Sequence, residues 1–260
     1  MSSGYDVTQK HFAATSQLYA VSAGHAQDSD LAMLVDLLEL NATHQVLDVA
    51  TGAGHTALAI APFVAQVTAA DLTPEMLDRT AELAAKRNIT NIVCAVTPAE
   101  QLNFPNDTFD RVSCRIAPHH FLDPQKAVTE MARVLKSGGI CVIEDSVAPD
   151  DMKLDMFINT IEKVRDPTHI RSYTLAEWLA FFTGADLTVE KIEYFRKKHD
   201  FADWLARGAQ DPAAQTETVR LACEANEESR KYFAIEYDQH GQPISFMDDK
   251  ILFKTVKTQR

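Results

Sequence analysis

Residues 46–60 read VLDVATGAGHTALAI. The apolar start, broken only by Asp48, predicts a buried strand. Gly52-x-Gly54-x-x-Ala57 then predicts a tight turn into a helix. The spacing fits the G-x-G-x-x-G/A fingerprint of adenosine-bearing cofactor sites, where glycines let the backbone approach the ligand at a helix N-terminus. Taken alone, the glycine run is a weak signal, since a plain tight strand–helix turn takes the same two glycines.

Working outward, strands and helices alternate. Apolar residues Leu31, Leu34, Val35 and Leu38 recur at helical spacing in a helix over 29–39, and 5–22 also reads as helix. Strands are predicted at 44–50, 65–71, 91–96, 109–116 and 140–145. Between them lie helices over 54–63, from Thr73 (N-cap) and Pro74, and from Asp123-Pro124 to about Lys136, before a turn at Ser137-Gly138-Gly139. This alternation predicts a parallel α/β sheet with helices on both faces and ligand-binding loops along one edge. Residues 147–173 form an excursion. Thr174-x-x-Glu177 is a capping box opening a helix through Phe182. Residues 187–195 alternate like a strand, 200–232 are polar and helical, and 233–257 read as β with a turn near Asp238–Gly241.

Composition narrows the function classes. The 260 residues carry 25 Lys+Arg against 37 Asp+Glu, a formal charge of −12. No basic cluster suits a nucleic-acid backbone, so nucleic acid is not the expected partner. Cys94, Cys114, Cys141 and Cys223 lack metal-ligand spacing, so no metal is expected and the thiols read as reduced. The start MSSGYDVTQKHF is not a signal peptide, and no stretch approaches the ~20 apolar residues of a membrane span. The expectation is a cytoplasmic protein whose oligomeric state, monomer or homodimer, the sequence leaves open.

Two acids decide between cofactors. Asp71 ends the second strand, placed to accept ribose hydroxyls of either NAD or another adenosine cofactor. Asp48, at the entrance of the glycine loop, would repel a pyrophosphate and suits a positive group such as an ammonium or a sulfonium. After these come AEQLNF (99–104), FDRVSCRIAPHHF (109–121) and ARVLKSGGICVIED (132–145). In this order the segments resemble class I S-adenosylmethionine-dependent methyltransferases, in the branch similar to ubiquinone/menaquinone-biosynthesis C-methyltransferases. The likeness is strongest over 40–146. Across the whole chain, RIAPHHF, RDPTHIRSYTLAEW (165–178) and the C-terminal SF…K.L stretch look like a group of uncharacterised bacterial members. No Asn/Asp-Pro-Pro-Tyr loop of base methyltransferases is present.

The resemblance implies a Rossmann-like α/β fold with a mostly parallel seven-stranded sheet, an antiparallel last strand, and helical cap segments. One domain is expected, with its core at 40–146, 174–196 and 249–258 and its cap at 1–28, 147–173 and 197–248. S-adenosyl-L-methionine is the implied cofactor and S-adenosyl-L-homocysteine the product. Asp48, Ala50, Thr51, Gly52 and Gly54 would surround the methionine portion, with Cys114 or Arg115 beside it. Asp71 would take the ribose, Leu72 and Met76 the adenine faces, and Ala99-Glu100 the adenine edge, although Pro98 replaces the family's usual Asp there. Ala50 replaces the motif's first glycine, which implies a backbone with no need for positive φ.

For the acceptor, His120 and then His119 are the candidate general bases. Arg165, Asp166, His169 and Arg171 either line the acceptor pocket or form an ion-pair cluster pinning the excursion, and Tyr19, Ser22 and His25 either close over the cofactor or serve packing; Tyr19, His25, His169 and Arg171 are the candidate substrate contacts. Tyr19, Phe157, Tyr173, Trp204, Phe233, Tyr237 and Phe246 in the cap segments point to a small, partly apolar or aromatic acceptor. The alternatives are an NAD-dependent oxidoreductase, which lacks a Tyr-x-x-x-Lys pair here, and a non-catalytic adenosylmethionine-binding module.

Overall fold

A computed structural model describes residues 4–20 and 29–258, the side chains of 18–20 and 29 excepted. Strands β1 (Gln45–Val49), β2 (Gln66–Asp71), β3 (Ile92–Val96), β4 (Phe109–Arg115), β5 (Leu135–Ser146), β6 (Leu187–Asp200) and β8 (Pro243–Lys257) lie in the order β3-β2-β1-β4-β5-β8-β6. Strands β1 to β5 are parallel, whereas β8 runs antiparallel to both β5 and β6. The two-residue β7 (Glu236–Tyr237) pairs beside β8 and adds to the seven expected strands.

The period-2 alternation of the strands builds two apolar layers. On one face Leu47, Val49, Val112, Ile143 and Phe253 pack with Met131 of α5 (Pro124–Val134) and Trp178 and Phe182 of α7 (Leu175–Gly184). On the other, Val46, Val67, Val142 and Leu252 meet Leu34 and Leu38 around α2 (Ser29–Leu37), and Ala57 and Ile60 of α3 (His55–Ile60). Helices α1 (Gly4–Ala20), α4 (Pro74–Lys86), α6 (Met152–Arg165), α8 (Phe201–Gly208), α9 (Pro212–Cys223) and α10 (Glu227–Tyr232) complete the described set.

The capping box forms as read: the Thr174 N–H donates to Glu177 Oε2 at 2.8 Å and the Glu177 N–H to Thr174 Oγ1 at 3.3 Å. Other boundaries differ for local reasons. Pro62 lacks an N–H, so the helix expected over 54–63 tightens to 3-10 geometry at Ala61–Phe63. The Ser137–Gly139 turn survives as a bulge inside a longer β5. Pairing jumps there from Phe109–Leu135 to Arg111–Ile140, with Gly138 at φ 72°. Thr73 stands at the N-cap of α4, but its side chain makes no cap; its N–H instead donates to Asp71 Oδ1 at 2.8 Å.

Beyond the sheet edge, Leu154, Ile158, Ile161, Phe201, Trp204, Phe233 and Phe246 form a third apolar cluster under α6, α8, α9 and α10. Phe246 of β8 joins this small core to the sheet.

Candidate active site

The carboxyl ends of β1, β2, β4 and β5 open into one cavity of about 220 Å³, lined from Gly52 and Asp71 to His120 and Lys250. At its near end the chain bends through three left-handed residues, Ala50 (φ 52°), Gly52 (φ 56°) and Gly54 (φ 83°). The expectation that position 50 tolerates alanine because no positive φ is needed is therefore corrected: Ala50 itself is left-handed, and its Cβ strains the bend. Gly52 lines the cavity, and a Cβ there would meet nothing within 4 Å. Gly54 serves packing instead, since its Cβ would fall 2.6 Å from Thr80 Cγ2; it does not line the cavity.

Asp48 lies beneath this bend rather than in the cavity wall. Thr51 Oγ1 donates to its Oδ2 at 2.6 Å and Ser113 Oγ to its Oδ1 at 2.7 Å. Burial pushes its carboxyl up to about 6. The reading of Asp48 as a charge facing the ligand thus gives way to one in which it braces Thr51. Asp71 does line the cavity, accepting the Gly52 N–H on Oδ2 at 2.9 Å and the Thr73 N–H on Oδ1. Each carboxylate oxygen keeps a lone pair for a further donor. Burial raises its pKa too.

Leu72, Met76, Pro98, Ala99 and Glu100 continue the wall. Glu100 Oε1 accepts the N–H groups of Leu122 at 2.9 Å and Asp123 at 3.4 Å, so it also fixes the loop that closes this end. Helix α1 crosses the mouth. Its Gln9 Nε2 donates to the Leu72 carbonyl at 2.8 Å, and Tyr5, Thr8 and Phe12 face inward. The sequence reading missed these three, although their 5-8-12 spacing marks one helical face.

Arg115 lines the cavity between buried carboxylates, at 2.6 Å from Asp30 Oδ2 and 3.0 Å from Glu144 Oε2. Burial pushes Glu144 up to about 8, whereas Asp30, despite its burial, is drawn down to about 2 by Glu144 and Arg115. Cys114 is fully buried in the core and outside the cavity lining.

The far end is polar. His119 and His120, on the 3-10 turn Pro118–His120 after β4, stand with ring centroids 4.0 Å apart. His119 Nδ1 is 2.6 Å from Asp145 Oδ1, and its N–H donates to Asp145 Oδ2 at 2.8 Å. Burial works against charging this ring, but Asp145 outweighs it and raises the pKa. His120 goes the other way, held well below the ordinary value by burial and by His119. His169 also reaches the cavity, held on Asn159 Oδ1 at 3.0 Å and lowered to about 4 by burial.

Arg165 and Asp166 line the chamber, Arg165 bonded to Glu162 Oε2 at 2.7 Å through Nη2. Arg171 does not; it ties Asp155 to Glu177, the ion-pairing alternative. Lys250 was not read from the sequence. It is buried, lines the cavity, and bonds Ser146 Oγ at 2.6 Å and Asp248 at 2.8 Å. Its signal was the polar pair Asp248 and Lys250, on one strand face inside an apolar run.

The aromatic acceptor wall is corrected. Phe157, Phe233 and Phe246 belong to the cap's own core, Tyr173 to the sheet core, and the Tyr237 hydroxyl donates to the Ala222 carbonyl. Of the named aromatics with described side chains, Trp204 alone lines the cavity. Ser22 and His25 lie outside the described residues, as does the side chain of Tyr19.

Comparison with known proteins decides the family. Residues 47–143 match the family described as "Methyltransferase domain". The chain is 37% identical over 246 residues to the uncharacterized methyltransferase YcgJ of Bacillus subtilis, covering 95% of this chain and 97% of that one. This chain is a class I S-adenosylmethionine-dependent methyltransferase. The methyltransferase superposes on the solved YcgJ structure with a TM-score of 0.85, covering 88% of this chain and 98% of that one. A putative methyltransferase from Bacillus halodurans gives the same TM-score at 35% identity, with coverages of 89% and 100%. The ubiquinone/menaquinone biosynthesis C-methyltransferase UbiE of a Geobacter species is 36% identical over 119 residues, 44% of this chain and 51% of that one.

The methyltransferase's residues fit its cofactor. The open space at Gly52, where a side chain would intrude, lies beside a buried carboxylate with spare acceptor capacity, Asp71. Asp71, Leu72, Met76 and the Gly52 bend line this end of the cavity, where they would hold the ribose, adenine and methionine parts of that cofactor. The nicotinamide reading falls with the family assignment.

Proposed function

We propose that this methyltransferase methylates a small polar molecule bound at the far end of the cavity, next to His119 and His120. The observation that carries the reading is continuity. One cavity joins Gly52 and Asp71 to a chamber walled by His120, His169, Arg165 and Lys250. An open chamber beyond the cofactor end supports catalysis over a binding module. Its enclosed, charged wall supports a small polar acceptor rather than a nucleic acid, in keeping with the chain's charge of −12.

The cofactor supplies an electrophilic methyl group, displaced in line while its bonding electrons stay on sulfur. The protein's part is alignment, worth roughly 7–11 kcal/mol in favourable cases, exclusion of water, and acceptance of a proton where the nucleophile carries one. The two histidines are pushed apart in pKa, so they divide the work. His119 is disposed to hold charge beside Asp145, whereas His120 stays neutral and is the base.

The test uses methyl-labelled S-adenosylmethionine with purified enzyme. The acceptor panel holds small carbon acids, phenols and thiols, with and without carboxylates, plus tRNA and duplex DNA. Label in a polar small molecule is the expected result. Label confined to nucleic acid, or to apolar members, would overturn the proposal.

A further inference from the structure

The decisive detail is where one threonine proton goes. Thr168 and Asp166 are both buried, at 2% and 1% exposure. Thr168 Oγ1 lies 2.6 Å from Asp166 Oδ1 and 2.9 Å from His120 Nδ1, and the Thr168 N–H also donates to Oδ1 at 2.8 Å. A threonine hydroxyl has one proton to give. Asp166 Oδ1 already accepts the Thr168 N–H, and the Arg165 guanidinium, 4.0 Å from Oδ2, draws the carboxyl down against its burial, so it is ionised and accepts only. Two oxygens 2.6 Å apart need a proton between them, so the hydroxyl hydrogen points at Asp166. The hydroxyl lone pair is left facing His120, and Nδ1 must be the donor. In the neutral ring the bare nitrogen is then Nε2.

We propose that Thr168 and Asp166 are positioning residues that lock His120 as its Nδ1–H tautomer, presenting Nε2 as the proton acceptor for methyl transfer. This rests on the methyltransferase reading and narrows its substrate class. The acceptor is a nucleophile bearing a dissociable proton: a carbon acid, a phenol or a thiol. The acceptor–methyl bond forms as the sulfur–methyl bond breaks, the sulfur keeps the electron pair, and the acceptor's proton moves to His120 Nε2, leaving an imidazolium that returns it to water. His119 is not equivalent. Its Nδ1 meets the Asp145 carboxylate directly, and it shares the chamber with Glu162 and Lys250, which act on its charge in opposite senses. The groups facing His120 are His119, His169, Asp166 and the Phe12 ring, edge-on at 5.0 Å between centroids.

The test needs no acceptor. Long-range proton–nitrogen NMR of full-length protein labelled with nitrogen-15 histidine reads tautomer and charge directly, with His120 assigned by the peaks lost in His120→Asn. At pH 7, with and without S-adenosylhomocysteine, His120 should be neutral, with a protonated Nδ1 and a bare Nε2. Thr168→Ser should keep that pattern, whereas Thr168→Val, which removes the acceptor, should shift weight to the Nε2–H form. A wild-type His120 that is Nε2–H, or charged at pH 7, would overturn the proposal, as would an unchanged tautomer in a folded Thr168→Val protein. Should that variant not fold, the wild-type and serine spectra decide alone. Absence of S-adenosylhomocysteine binding by calorimetry would sink the methyltransferase reading separately, whatever the tautomer.

Discussion

Ala50 holds a backbone conformation that glycine takes freely and L-residues avoid. Ala50→Gly relieves the strain but frees the unfolded chain, so a net stabilisation of about 1 kcal/mol is expected from urea unfolding; a loss of stability would show that the Ala50 methyl packs more than it strains. Asp48 makes a pH prediction. Its pKa is about 6 in the fold against 3.8 in the free side chain, so the folded state binds more protons between those values. Stability from this group is present below pH 4 and declines as pH rises to about 6, by about 3 kcal/mol. Asp48→Asn should flatten that decline; an unchanged profile would place the titration elsewhere. Asp71→Ala should weaken S-adenosylhomocysteine binding about 100-fold in calorimetry, from loss of charge-assisted hydrogen bonds. The place of Asp71 in the cavity wall was legible because it ends a strand at the carboxyl edge of the sheet. Asp48 was misread because Ser113, 65 positions away on β4, satisfies it, and no local pattern reveals such a partner.

At the scale of elements, α1 forms one wall of the cavity, held to it by the Gln9–Leu72 hydrogen bond, with Tyr5, Thr8 and Phe12 facing in. Cofactor binding should therefore slow amide hydrogen exchange along α1. Exchange unchanged by saturating S-adenosylhomocysteine would mean that the helix does not report on the site. The succession of strands and helices and the α7 capping box were readable because alternation and capping are local signals. The way α1 packs across α4 and α8 was not, since helical periodicity marks an inward face without naming what it faces.

For the whole molecule, the sheet follows from apolar alternation, while the cap depends on a separate small core. Phe233, 2% exposed, lies at the heart of that core. Phe233→Ala should cost about 3–5 kcal/mol, and its damage should fall on methyl transfer more than on cofactor binding, a split visible by comparing turnover with calorimetry. Equal loss of both would show that cap and sheet fail together. Aromatic residues in the cap segments read alike whether they line a ligand or a core, which is why the sequence pointed to a partly apolar or aromatic acceptor while the far end of the cavity is lined by polar side chains. The account stands most directly on a crystal structure of the enzyme with S-adenosylhomocysteine. It predicts both ribose hydroxyls on the Asp71 carboxylate, the amino-acid end along the Gly52 bend, and the sulfur facing the His119–His120 chamber. Adenosine seated away from Asp71, or sulfur pointing away from the histidines, would contradict it.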